Sequence, residues 1–173
     1  SPSGVMQGMD FVKTSVSANQ LLGYDPTYLA GLMNLSLIQY TIDAGAGPER
    51  TGRTRTLAAR SAMVLAEQLF GDFVAVKLRQ PFETSLQDKQ QRMDATIKAL
   101  GRLVDYEIAD VTSAATYYMA ETYFNFSRSL VESERPADLK PADLEAFKMQ
   151  LDETAFPFEE KAIKVHEKNM ELL

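Results

Sequence analysis

The chain has 173 residues, 45% of them hydrophobic and 24% charged, enough to bury a real core in one domain or a short helical array. A net charge of −6 argues against a general nucleic-acid binder, and no apolar run approaches the ~20 residues of a membrane span. There is no cysteine, which excludes disulfides, thiolate metal sites and a cysteine nucleophile.

In chain order, a short helix around residues 8–22 is weakened by Thr14, Val16 and Ser17. Asp25 and Pro26 then open a helix from Thr27 to Asp43, with Tyr28, Leu29, Leu32, Leu35, Ile38 and Ile42 as its apolar positions. Gly45, Ala46, Gly47 and Pro48 break it. Residues 1–50 thus form an N-terminal helical segment whose repeat status the sequence leaves open.

Ala62, Leu65, Ala66, Leu69, Phe73 and Val76 recur at steps of three and four and predict a helix over about 53–79, ended by Pro81. Leu86, Met93, Ile97, Leu100 and Val104 predict the next, about 83–106. The short link makes the two an antiparallel hairpin. A third helix, about 111–133, opens at Asp110, Thr112 or Ser113. It carries two stripes: Met119, Tyr123, Phe126 and Leu130, then Tyr117, Ala120, Phe124 and Val131. Two stripes predict a helix covered on two sides by its neighbours. A loop from Glu134 to Lys140 leads to Pro141 and a last helix over about 141–172, with Leu144, Phe147, Leu151, Phe158, Ala162, Val165, Asn169 and Leu172 on one stripe. Pro157 predicts a kink or break within it. The chain stops at Leu173 with no helix terminator before it, which predicts a piece of a longer protein. The expected fold is all-α, with stacked antiparallel helix pairs over residues 51–173.

Two places carry a family resemblance. Met119 and Ala120 followed by Tyr123 resemble the first helix of a tetratricopeptide repeat, where a small residue admits the partner helix and the tyrosine fills the groove. Phe158 with Ala162 and Ile163 resembles the start of the second helix. The pair from Arg53 to Tyr106 has the same shape, with Leu65, Ala66 and Leu69 in one helix and Ala95 and Ala99 in the other. The spacing exceeds a 34-residue repeat, so the resemblance implies a divergent α-solenoid with unusually long helices. Ala155 to Ile163 (AFPFEEKAI) and Leu130 to Pro136 (LVESERP) look like segments of large tetratricopeptide proteins of Gram-negative bacteria. That likeness implies an envelope-associated, periplasmic scaffold.

The residues themselves point to no catalytic, cofactor or metal site. His166 is the one histidine and reads as a packing or surface side chain. Asp152 with Glu153, and Glu159 with Glu160, are neighbours ~100° apart on a helix and form no shared acid dyad. The glycines at 45 and 47 lack the Lys and Ser/Thr of a phosphate loop. Arg50, Arg53 and Arg55 read as solvated, with an acidic segment or phosphate as the alternative. Met63, Met93 and Met119 read as core.

The expected function is therefore a non-catalytic protein–protein interaction scaffold that holds a protein or peptide. The candidate partner-binding residues are Arg60, Glu67, Glu121, Asn125 and Arg128. Two alternatives remain. One is a small apolar or aromatic ligand among Tyr117, Tyr118, Tyr123 and Phe126. The other is self-association between oppositely charged segments: Arg50 to Arg102 holds ten Lys/Arg against five Asp/Glu, and Glu132 to Leu173 six against eleven.

Overall fold

The computed structural model describes residues 51–171. Among them every regular element is a helix: α1 (Gly52–Ala75), α2 (Phe82–Val104), α3 (Ala109–Val131) and α4 (Pro141–Met170). The chain divides into two compact units, one ending at Leu65 and the other beginning at Ala66, so the boundary falls inside α1. The helices expected around 8–22 and from Thr27 to Asp43, and Leu172 of the last stripe, lie outside the described residues.

In the first unit, Thr51 and Thr54 start α1 by bonding each other's backbone N–H through their hydroxyls, at 2.9 and 3.2 Å. This satisfies two of the donors that a helix N-terminus leaves open.

In the second unit, α1 ends at Ala75 rather than near residue 79. Residues 76–80 leave the helix and run beside the loop after α3: the Glu134 N–H donates to the Leu78 carbonyl at 3.0 Å, and the Gln80 N–H to the Glu134 carboxylate at 3.0 Å. Ser85 Oγ accepts from the Arg79 N–H and donates to the Arg79 carbonyl, tying this link to the first turn of α2. The core gathers here. Phe73, Leu78, Met93, Phe126, Leu130 and Ala155 are buried together, with Phe70, Phe82, Leu86, Tyr123 and Phe158 packed around them.

α3 packs against both α2 and α4. Its contacts with α4 run in reverse order along the two helices. Thr116 Oγ1 donates to Asn169 Oδ1 at 2.7 Å, Glu121 faces His166 at 3.3 Å, and the Phe126 ring meets Phe158 at 4.6 Å. The two are antiparallel neighbours. α4 continues as one helix through Pro157, so the sequence's break does not occur there. Pro141 takes its first turn, where the missing N–H costs nothing.

The second stripe of α3 is only partly covered. Ala120 is buried, but Tyr117, Phe124 and Val131 are exposed. The neighbouring helices take two other flanks: Tyr123, Phe126 and Leu130 enter the common core, and Val111, Ala115 and Thr122 are buried as well. Leu69 and Val104, expected in core stripes, are also exposed.

Gly101 lies inside α2, and a methyl there would meet nothing within 4 Å; the same holds for Gly71 in α1. Gly→Ala restricts the unfolded chain at no steric cost, so Gly101→Ala is expected to stabilise by about 0.5–1 kcal/mol, read as a higher urea midpoint.

Candidate functional site

The surface that stands apart from a solvated helix face belongs to α3 and α4. On α4, the residues turned to α3 step by three and four: Leu151, Ala155, Phe158, Ala162, Val165 and Asn169. A second apolar row sits to one side. Met149, Phe156, Ile163 and Met170 are each seven residues apart and are 53–73% exposed. Seven residues are nearly two turns, so the four form an almost straight line about 32 Å long. On α3, Tyr117, Phe124 and Val131 repeat the spacing and are 39–47% exposed.

His166 lies between the α4 row and the stripe of α4 turned to α3. It sits three residues after Ile163 of the exposed row, and four after Ala162 and three before Asn169 of the stripe turned to α3. Its imidazole lies 5.8 Å from the Tyr117 ring and 3.3 Å from Glu121 on α3. Exposed carboxylates border the α4 row on both sides. Glu145, Asp152 and Glu159 lie toward α3, and Glu153, Glu160 and Glu167 lie away from it. The α4 row is thus an apolar track of its own with acidic edges, set apart from the α3 row by Glu145, Asp152 and Glu159. The Glu121–His166 contact is half-exposed, so Glu121→Gln is expected to change stability by less than about 1 kcal/mol, measured by urea denaturation.

A separate polar centre lies beneath the end of α1. Lys89 is fully buried. Its ammonium donates to the carbonyls of Phe73 at 3.2 Å and Val76 at 2.9 Å, and to Asn125 Oδ1 at 3.1 Å. It also lies 4.3 Å from the centre of the Phe73 ring. Three donors thus meet three acceptors, two of them carbonyls at the negative end of α1. Burial, and secondarily Lys77, pull its pKa from 10.5 down to about 8. A charged side chain bonded in this way joins α1, α2 and α3, so it is a fastening point of the core.

Of the five residues expected to line a groove, Arg60 lies in the first unit, and the four in the second have different partners. Arg60 is exposed on α1 in the first unit. Glu67 sits beside Tyr118, whose phenol pKa is raised by burial first and then by the Glu67 charge and hydrogen bond. Glu121 pairs with His166. Asn125 is turned inward to Lys89, because an ammonium left without its third acceptor there would carry a desolvation cost. Arg128 stays on its own helix in an exposed pair with Glu132 at 3.1 Å. Among the aromatics, Tyr118 meets Phe70 edge-on at 5.0 Å and Tyr117 at 5.6 Å, while Phe126 lies against Phe158. Tyr117, Tyr118 and Phe126 thus each pack against another aromatic ring.

The α4 row was missed in the sequence, although its signal is there: Met149, Phe156, Ile163 and Met170 at intervals of seven, one position beside the buried stripe. A cleft of about 530 Å³ near the end of α3 is lined by Lys77, Leu78, Arg79, Ser129, Glu132 and Glu134; its opposed charges select no ligand sign. Among the described residues no group of three or more acidic or histidine side chains could hold a metal ion, and no helix is long and apolar enough to cross a membrane. Comparison with protein-family models, with curated proteins and with solved structures finds no match.

Proposed function

We propose that the chain is a non-catalytic interaction scaffold, a stacked-helix array of tetratricopeptide-like kind that holds a protein partner within a bacterial cell-envelope assembly. The observation that carries the scaffold reading is the pair of exposed apolar rows on α3 and α4. Scattered surface hydrophobics are ordinary, whereas rows of large exposed apolar side chains repeated along a helix mark an interaction surface. The tetratricopeptide and envelope parts rest on the resemblance of the segments around Met119 to Tyr123, Leu130 to Pro136 and Ala155 to Ile163.

The test is site-specific photocrosslinking in cells that express the protein. A photoreactive residue at Phe156, Ile163 or Phe124 is expected to capture another protein in the envelope fraction, and one at Gln91, exposed on α2, is not. No crosslink from α3 and α4, or the same yield from Gln91, would contradict the scaffold reading.

A further inference from the structure

We infer that the exposed row of α4 seats one helix of a second protein, an amphipathic helix with apolar residues at heptad spacing and Lys or Arg on both sides of them. This deepens the scaffold reading and rests on it.

The geometry sets the shape of the occupant. Both exposed rows repeat at seven residues, the interval at which a helix returns to the same side of a neighbour in coiled-coil packing. The α4 row spans about 32 Å, which calls for an occupant helix of about six turns.

The charges set its chemistry. Six exposed carboxylates border the α4 row: Glu145, Asp152 and Glu159 on one side, Glu153, Glu160 and Glu167 on the other. The Lys148–Glu145 pair answers one of them within the helix. Helices in coiled coils choose partners by the charges beside the apolar seam. An α4 row from a second copy would bring like charges together along the whole contact. An anionic lipid surface is disfavoured for the same reason. The sequence from Thr27 to Asp43 has an apolar stripe but no Lys or Arg. The basic N-terminal half of α1 has Arg53, Arg55 and Arg60, but Leu57 is its one large exposed apolar residue, too little to fill a row of four. A basic amphipathic helix from another protein satisfies both constraints.

The test uses the full chain and two synthetic peptides of four heptads, with leucine at the repeating positions and either Lys or Glu beside them. Binding is read by fluorescence anisotropy at low and physiological salt. The Lys peptide is expected to bind and the Glu peptide to bind at least about tenfold more weakly. Phe156→Glu with Ile163→Glu should weaken the Lys peptide at least about tenfold while circular dichroism stays unchanged, since both side chains are exposed. Glu153→Lys with Glu160→Lys should weaken it more than Glu83→Lys with Asp105→Lys, two exposed sites on or beside α2. Equal binding of the two peptides, equal loss from either pair of reversals, or no binding would overturn the inference. So would a dimer of the chain alone that Phe156→Glu with Ile163→Glu dissolves, which would give the row to a second copy. Photocrosslinks from Phe156 to a protein segment without basic residues would remove this partner chemistry and leave the scaffold reading standing. Absence of any such crosslink would remove the reading itself.

Discussion

Lys89→Met is expected to destabilise the protein by about 3 kcal/mol at pH 7, measured by urea denaturation. The substitution keeps much of the side chain's volume and removes its charge. It leaves the Phe73 and Val76 carbonyls and Asn125 Oδ1 without their shared donor. Charge-assisted hydrogen bonds contribute about 1.5–3 kcal/mol each, and relief of the buried charge offsets part of the loss. The lowered pKa adds a pH signature. Below about pH 8 the amine is protonated in both folded and unfolded chains, so it gives no slope. Between about 8 and 10.5 the unfolded chain holds a proton that the folded chain has released, so stability rises with pH. By pH ~10 the gain is about 2–3 kcal/mol. Tyr118 and Tyr123, whose pKa values are raised above 10.0 by burial and nearby carboxylates, act in the opposite direction once pH exceeds ~10. Urea midpoints between pH 7 and 10 therefore isolate the lysine. The wild type should gain stability across that window and the Met variant should lack that gain. Parallel profiles would show that Lys89 is not the titrating group.

Phe126→Ala is expected to cost about 4 kcal/mol, and Phe124→Ala less than about 1 kcal/mol. The two rings are two positions apart on α3. Phe126 is 1% exposed, lies 4.6 Å from Phe158, and shares the core with Phe73, Met93 and Leu130. Removing it opens a cavity where α2, α3 and α4 meet. Phe124 lies on the exposed row, so its loss empties no core. A domain of this size has about 5–15 kcal/mol of stability, so the first change takes a large fraction of it. Equal urea midpoints for the two variants would contradict the placement of α3.

This contrast also marks how far the sequence reaches. Helical period and prolines mark out four helices between residues 51 and 173, because Pro81 and Pro141 constrain the backbone wherever they stand. The early end of α1 was not legible: apolar spacing continues through Val76, and what draws residues 76–80 away is a pairing with Glu134, distant in sequence. Lys89 was not legible either. A lysine on a helix reads as solvated, and burial of this one depends on two carbonyls and an asparagine supplied by other helices. Asn125 was placed at a groove for the converse reason, since a polar residue among aromatics reads as surface. On α3, the sequence cannot tell which of two apolar stripes is covered, because that is decided by where α2 and α4 lie. The seven-residue row on α4 is visible in the sequence, but the more regular stripe beside it is the one that helical period brings out.

The most direct measurement of the central claim, that the exposed apolar rows of α3 and α4 are covered in the cell, is hydroxyl-radical footprinting of the protein in its cells against the purified chain. Tyr117, Met149, Phe156 and Met170 react readily when exposed, as all four are here. Protection of these residues in cells, with the exposed Leu69 and Val104 labelled equally in both settings, is the expected result. Equal labelling of Tyr117, Met149, Phe156 and Met170 in cells and in the purified chain would contradict it.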